Sequence, residues 1–248
     1  MTSYRVGLLV PSSNTTMETE VPEVLRRVAA RSDNRFTFHS SRMRMKTVTA
    51  EELAAMNADA DRAAVELADA AVDVMAYACL VAIMSQGRGV HRDIEERLTQ
   101  TAKDAGDPVD VVSSAGALVA GLHHLGARKV SIVTPYMKPL TALVADYIEA
   151  EGIEVQDAVS LEVDDNLAVG RLDQAQLPEI AERLDTRGVN AVVLSACVQM
   201  PSLQAIPAAE KAVGGLPVIT ASTATSWQLL NSLGAHTPVP GAGELFKH

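Results

Sequence analysis

The chain contains the run Asp73-Val-Met-Ala-Tyr-Ala-Cys79-Leu-Val-Ala82, which predicts a buried strand that carries a cysteine to its carboxyl end. The second half contains a matching run, Asn190-Ala-Val-Val-Leu-Ser-Ala-Cys197-Val-Gln-Met-Pro201, and these are the only two cysteines of the chain. Continuously apolar strands belong to sheets covered on both faces, as in α/β proteins. Ligands of open α/β sheets bind beyond the carboxyl ends of the strands, so both thiols fall where chemistry is expected.

The elements around these runs occur in the same order in both halves. Each half predicts four strands, each followed by a helix, and this alternation predicts parallel sheets with right-handed crossovers. The predicted strands are 5–10, 36–45, 73–82 and 110–114 in the first half, and 129–134, 153–163, 190–201 and 217–222 in the second. The predicted helices are 17–30, 50–71, 91–105 and one ending at 125–127, then 141–151, 173–186, 203–213 and one ending at 233–235.

We therefore expect an α/β fold of two pseudo-symmetric, Rossmann-like lobes, each a mostly parallel four-stranded sheet flanked by helices. The expected domains are an amino-terminal lobe, 1–115, a carboxyl-terminal lobe, 116–223, and a helix and tail, 224–248, that packs back on the amino-terminal lobe. A pseudo-twofold relation between the lobes brings matching strand ends together across one cleft. This arrangement predicts that Cys79 and Cys197 form a pair in an interlobe site.

Composition and charge exclude several classes of function. Aromatic residues make up 3% of the 248 residues and the formal net charge is -10, which argues against a nucleic-acid partner. No apolar run reaches the roughly 20 residues of a membrane span, and the first residues lack the features of a signal peptide. We therefore expect a cytoplasmic protein with free thiols and no membrane partner. We further expect a homodimer.

Motifs for metals and nucleotides are weak or absent. The sequence has no C-x-x-C, no H-E-x-x-H and no G-x-x-x-x-G-K-[ST]. Gly87-Arg-Gly89 begins like a dinucleotide-binding loop, but Arg92 stands where the third glycine is needed. We expect no metal and no cofactor.

Paired thiols at strand ends suggest two kinds of chemistry. They suit two-base proton transfer at carbon, or a division in which one thiolate adds covalently and the other donates a proton. Asn14, Tyr136 and Asn166 follow other predicted strands and are uncharged donors able to bind a carboxylate. For the two asparagines, plain turn chemistry is an equal alternative. An inert buried thiol and a non-catalytic binding protein also stay open at this point.

The motifs resemble the aspartate/glutamate racemase superfamily, and within it most closely the maleate cis-trans isomerases. The resemblance covers essentially the whole chain and implies two lobes with the active site between them. It rests on Gly7-Leu-Leu-Val-Pro-Ser-Ser-Asn14-Thr-Thr, Tyr-Ala-Cys79, Ser-Ala-Cys197, Val-Thr-Pro-Tyr136 and Asp-Asn166.

The resemblance also implies roles for individual residues. It makes Cys79 the nucleophile and Cys197 the partner acid or base. The implied substrate-binding residues are three donors to carboxylates and four residues of the loops after the cysteines: Asn14, Tyr136, Asn166, Val81, Ala82, Val198 and Gln199.

The residues after the cysteines separate this chain from its amino-acid-specific relatives. Leu80-Val81 and Val198-Gln199 stand where the amino-acid racemases tend to have Asn-Thr and Thr-Glu or Thr-His. An ammonium group against an apolar wall would be a buried unpaired charge, so a substrate without an amine fits better. Arylmalonate decarboxylases keep only the second-half cysteine. The resemblance thus implies cofactor-independent isomerisation of maleate to fumarate, with a racemase or epimerase of a small carboxylic acid, or a dicarboxylate-binding protein, as alternatives.

Overall fold

The protein, described by a computed structural model over residues 1–106 and 108–247, contains two four-stranded, all-parallel sheets. The first sheet consists of β1 (Thr2–Pro11), β2 (Asn34–Met43), β3 (Val74–Tyr77) and β4 (Asp110–Ser113). The second consists of β5 (Lys129–Thr134), β6 (Glu154–Ser160), β7 (Ala191–Ser195) and β8 (Val218–Thr220). The helices are α1 (Met17–Ala29), α2 (Ala50–Ala58), α3 (Ala60–Asp69), α4 (Leu80–Met84), α5 (His91–Ala105), α6 (Ser114–His124), α7 (Lys138–Ala150), α8 (Asn166–Val169), α9 (Leu177–Ala181), α10 (Ile206–Ala212) and α11 (Ala221–Ser232).

The two sheets have the same strand order, which confirms the predicted repeat and the α/β fold. The orders are β2-β1-β3-β4 and β6-β5-β7-β8. The inner strands β3 and β7 are buried along their whole length, as their continuous apolar sequences require. Each lies beside the first strand of its half. The carboxyl ends of β1 and β3 are therefore neighbours in the first sheet, and those of β5 and β7 are neighbours in the second sheet.

The prediction of one strand over 73–82 is wrong in its second part. The strand β3 ends at Tyr77, and Cys79 is the N-cap residue of the short helix α4. An apolar run can be a buried strand or a buried helix, and here it is one of each, so its periodicity could not separate them. Cys79 therefore lies at a turn from strand into helix.

Two long predicted helices are also shorter than expected. The helix predicted over 50–71 is divided at Asp59, which ends α2 and precedes α3. Asn57, a poor helix former, is buried there and donates to the carbonyl of Ala82. The helix predicted over 173–186 is a 3-10 turn at Gln174–Gln176 followed only by α9, which ends well before 186.

The last helices of the two halves meet between the sheets. Helix α6 packs against α11 and β8, and α11 also packs against α1, β3 and β4. The helix that closes the second half thus lies against strands of the first sheet. The expected boundaries after residues 115 and 223 stay predictions, and residue 248 lies outside the described part of the chain. Over the described residues, the helices are too short or too polar for any of them to cross a membrane.

Candidate active site

Loops that follow β1, β3, β5 and β7 enclose a small cavity, and both cysteines line it. Its free volume is about 10 Å³, room for about one water molecule. The pairing of the thiols that the repeat predicted is therefore present in the fold. The cavity is lined by Pro11, Asn14, Met45, Val48, Ala78, Cys79, Leu80, Val81, Tyr136, Asn166, Cys197, Val198 and Gln199.

The walls of this cavity carry no formal charge. Among the described residues that line it, none is Lys, Arg, His, Asp or Glu. The groups that can titrate are the two thiols and the phenol of Tyr136, and burial raises the pKa of all three. An anion bound here must be stabilised by N–H and O–H dipoles rather than by a side-chain cation.

The two thiols differ in the donors that face them. Burial raises the pKa of Cys79 to about 12, and the backbone N–H of Ala82 opposes this effect. Burial also raises the pKa of Cys197, but three donors oppose it. These are the hydroxyl of Tyr136 and the backbone N–H groups of Gln199 and Met200. Because more donors stabilise its thiolate, Cys197 is the better candidate to hold the charge when the pair has lost one proton.

Asn14 presents an unpaired donor in this otherwise apolar setting. Its Oδ1 accepts the backbone N–H groups of Thr16 (3.1 Å) and Met17 (2.9 Å), which fixes the amide at the start of α1. Its Nδ2 is buried and has no hydrogen-bond partner in the described part of the chain. A buried unpaired donor costs about 1–3 kcal/mol, so an acceptor brought by a bound molecule would be stabilised here. The turn contacts thus use Oδ1, and Nδ2 is left as an available donor.

Asn166 begins α8 in the second half of the chain and also lines the cavity. Its Nδ2 donates to the hydroxyl of Ser13 at 2.8 Å, and that hydroxyl donates to the carbonyl of Met45 at 2.6 Å. The side chain of Asn166 is therefore already hydrogen-bonded to the first half of the chain. That bond uses one of the two N–H groups of its amide, so the other is left for a ligand.

Residues 44–49, between β2 and α2, form a strap over the cavity. Met45 and Val48 of the strap line the cavity, and Thr47 makes an antiparallel bridge to Asp165 in the second half. The backbone N–H groups of Lys46 and Thr47 donate to one carboxylate oxygen of Glu52, at 2.6 and 2.8 Å. The strap thus reaches from the first half to the second and closes the site.

The residues predicted to bind substrate after each cysteine lie near the cavity, but they do not all line it. Val81 and Val198 line the cavity, whereas Ala82 does not and acts instead through its N–H beside Cys79. Gln199 lines the cavity, but its side-chain amide is hydrogen-bonded to the protein on both ends. Leu80, which the sequence placed in an apolar wall beside the substrate, lines the cavity, whereas the sequence interpretation missed Pro11, Met45, Val48 and Ala78. The signal for the strap was weak, since it is only two apolar residues within a polar loop.

The comparisons with known proteins bear on what this cavity does. A family model described as arylmalonate decarboxylase matches residues 6–246. A maleate isomerase from Alcaligenes faecalis is 59% identical over 246 residues, which are 99% of this chain and 97% of that one. The chain belongs to the maleate isomerase family. The resemblance that the motifs around both cysteines indicated is confirmed.

Solved members of the maleate isomerase family share this fold over nearly their whole length. The enzyme from Pseudomonas putida S16, as a cysteine-to-alanine variant with maleate, has 54% identity and a TM-score of 0.97, over 99% of this chain and 98% of that chain. A cysteine-to-serine variant of the Nocardia farcinica enzyme has 47% identity and a TM-score of 0.93, over 99% and 98%. That variant carries a covalently bound succinylcysteine intermediate.

Proposed function

We propose that this protein is an isomerase that converts maleate to fumarate without a cofactor, through a covalent adduct on Cys79. The observation that carries this function is the presence of two buried thiols in one uncharged cavity. A pair of thiols can add to a double bond and exchange one proton with it. Membership of the maleate isomerase family supports the choice of substrate.

The substrate carboxylates would be bound by neutral donors. The free Nδ2 of Asn14 is placed to donate to one carboxylate, and the Asn166 amide supplies a further donor. The single O–H of Tyr136 donates to Cys197 while that thiol is charged, and it becomes available to a carboxylate once Cys197 has taken a proton. The helix α1 begins three residues after Asn14, and the partial positive charge at its amino end favours an anion. The apolar side chains of Val81 and Val198 face the carbon skeleton rather than an amine. These features support a small dicarboxylate as the substrate.

The chemistry begins with a proton transfer between the thiols. Cys197, as thiolate, takes the proton of Cys79 while the sulfur of Cys79 adds to C2 of maleate. The electron pair of the double bond moves to C3 and its carboxylate, and the donors around that carboxylate stabilise the resulting enediolate. Cys197 then gives the proton to C3, which yields a succinyl thioether.

The bond between C2 and C3 is single in this adduct, so it can rotate. After rotation Cys197 removes a proton from C3, the double bond re-forms in the trans configuration, and the sulfur of Cys79 leaves. Cys79 recovers its proton from Cys197 and fumarate departs, so that protons and electrons balance over the cycle. The Nocardia farcinica variant supports this scheme, because its succinyl group is on a cysteine other than the one replaced.

Substrate entry requires the strap to move. A cavity of about 10 Å³ holds about one water molecule, whereas maleate has four carbon and four oxygen atoms. The strap covers the cavity and meets the second half through the bridge between Thr47 and Asp165. Breaking this bridge would let the strap lift, so the strap is the segment that would open. Its closure excludes water from the enediolate and from the thioether.

Proton NMR of the protein with maleate tests the function directly, because maleate and fumarate give separate vinyl signals. We expect fumarate to form with the wild-type chain and not with Cys79→Ser or Cys197→Ser. Undiminished turnover by Cys79→Ser would contradict the covalent scheme. A racemase would instead incorporate solvent deuterium at a stereocentre, and a binding protein would hold maleate unchanged with or without either thiol.

We further propose that the protein is a cytoplasmic homodimer with lobes at 1–115 and 116–223 and a carboxyl-terminal segment at 224–248. Light scattering after size-exclusion chromatography gives the mass in solution. A mass of one chain would contradict the dimer.

A further inference from the structure

We propose that Gln199 is a positioning residue that sets the spacing between the loops carrying Asn14 and Asn166, and that this spacing favours cis over trans dicarboxylates. The inference rests on the proposed function, because it assigns carboxylates to those two asparagines. It gives Gln199 a part in specificity without contact between its side chain and the substrate.

The side-chain amide of Gln199 joins both halves of the chain. Its Oε1 accepts the backbone N–H groups of Thr15 (2.9 Å) and Thr16 (3.3 Å), which follow Asn14. Its Nε2 donates to the carbonyl of Ser13 (3.1 Å), which precedes Asn14, and to the carbonyl of Asn166 (2.9 Å). Every bond is to the main chain. The amide therefore fixes the backbone on both sides of one asparagine against the backbone of the other.

This link does not depend on the orientation of the Asn166 side chain, because it uses the main-chain carbonyl. The direct bond between the two loops, from the Asn166 amide to the Ser13 hydroxyl, must break if that amide turns to a carboxylate. The bonds of Gln199 do not depend on that rotation, because they use the carbonyl of Asn166. The amide of Gln199 is then the remaining side-chain link between the two loops among the described contacts.

The chemistry of the two isomers makes this spacing selective. The carboxylates of maleate lie on the same side of the double bond and closer together than those of fumarate. Donors held at a fixed separation that matches the cis isomer bind both of its carboxylates, whereas the trans isomer must move the two donors apart. Gln199 also donates its backbone N–H to the sulfur of Cys197 at 3.4 Å, so the same residue keeps the acid/base thiol in register with the two loops.

Gly170 offers a way to disturb this amide without replacing it. A Cβ at Gly170 would lie 2.5 Å from Nε2 of Gln199 and 3.0 Å from the hydroxyl of Thr15. Its backbone conformation suits any residue, so Gly170→Ala acts through this contact rather than through strain. Gln174 is a matched control, since its amide also accepts a backbone N–H, that of Gln204, in an exposed part of the chain.

The test measures dissociation constants for maleate and fumarate by calorimetry in a Cys79→Ala background, where no adduct can form. Fumarate should bind more weakly than maleate. Gln199→Met removes all four of these side-chain hydrogen bonds, so the ratio of the fumarate constant to the maleate constant should fall about tenfold or more, which corresponds to about 1.4 kcal/mol of lost discrimination. Gly170→Ala should shift the ratio in the same direction, and Gln174→Met should leave it unchanged.

Each outcome decides the question. Equal weakening of both isomers, or no change in either, overturns the positioning role, since a merely structural residue would not alter the ratio. If Gln199→Met fails to fold, Gln199→Glu is used instead, because it keeps the shape and the acceptor while removing the donor. The ratio of the two dissociation constants should then fall in that variant. Absence of fumarate formation by the wild-type chain would overturn the proposed function itself, which the binding ratio does not measure.

Discussion

The unpaired amide of Asn14 permits a sharp test, because its two ends have different roles. Asn14→Asp keeps the oxygen that accepts the N–H groups of Thr16 and Met17, and replaces the free Nδ2 with a second oxygen. If the new carboxylate stays ionised, the enzyme–substrate complex loses a charge-assisted hydrogen bond of about 1.5–3 kcal/mol. The carboxylate also repels the substrate by about 4 kcal/mol at an effective dielectric constant near 20. Binding of the substrate is then weakened by about 6 kcal/mol in total.

Protonation of the new aspartate costs less free energy than keeping it ionised, so protonation sets the expected loss of kcat/KM. Protonation of an aspartate with a pKa near 3.9 at about pH 7 costs about 3 pH units, or about 4 kcal/mol, and restores a donor. We therefore expect kcat/KM for maleate to fall about a thousandfold in Asn14→Asp at about pH 7. Relative to the wild-type chain at each pH, the loss should shrink about tenfold for each unit by which the pH is lowered.

Steady-state kinetics by NMR, with urea unfolding of the same variant, checks this prediction. The free energy of unfolding should change by less than about 2 kcal/mol, because the two N–H bonds at the start of α1 persist. A kcat/KM within about tenfold of wild type at about pH 7 would refute the placement of the amide against a carboxylate. A large loss that does not depend on pH would refute it equally.

Two further predictions concern the acid/base thiol and the contact between the halves. Tyr136→Phe removes a donor that lowers the pKa of Cys197, so that pKa should rise. We expect kcat/KM to drop about 10- to 100-fold at neutral pH, and the pH at which kcat/KM begins to increase should be higher than in the wild-type chain. An unshifted pH profile would exclude this role of Tyr136. One carboxylate oxygen of the buried Glu20 accepts the backbone N–H groups of Ser202 and Leu203, and the other accepts the hydroxyls of Ser202 and Ser222. Glu20→Gln replaces the second oxygen with an NH2 group and so removes that acceptor, which should lower the free energy of unfolding in urea by about 2–3 kcal/mol. Glu23→Gln, in a surface ion pair, should change it by less than about 1 kcal/mol. Equal effects of the two changes would contradict this account of the interface.

The sequence predicted the fold because its repeat is strong. Two apolar runs, each ending in a cysteine, form the third strand of each half. Their repetition predicted two matching sheets and a site shared by Cys79 and Cys197. Hydrophobic alternation and turn residues are local signals, so they locate elements well. They do not separate a buried strand from the buried helix that follows it, as the turn at Cys79 demonstrates.

The details of the site depend on contacts between residues far apart in the chain. Nothing near Gln199 in sequence indicates that its amide holds Ser13 and Asn166, which are 186 and 33 positions away. The strap is another example, since the hydroxyls of Ser12 and Ser13, 33 and 32 positions away, both donate to the carbonyl of Met45 in the cavity wall. Such hydrogen bonds are set by the packing of two halves, and a single sequence carries no local pattern for them.

The covalent adduct is the central claim, and mass spectrometry tests it most directly. The Cys197→Ser and Cys79→Ser variants are each mixed with maleate, quenched in acid and digested. We predict that Cys197→Ser gains the mass of one maleic acid on the peptide that contains Cys79, because water slowly replaces Cys197 in the proton transfers that form the adduct and the adduct then accumulates, and that Cys79→Ser gains none. An adduct on Cys197, or no adduct in either variant while the wild-type chain forms fumarate, would contradict the account.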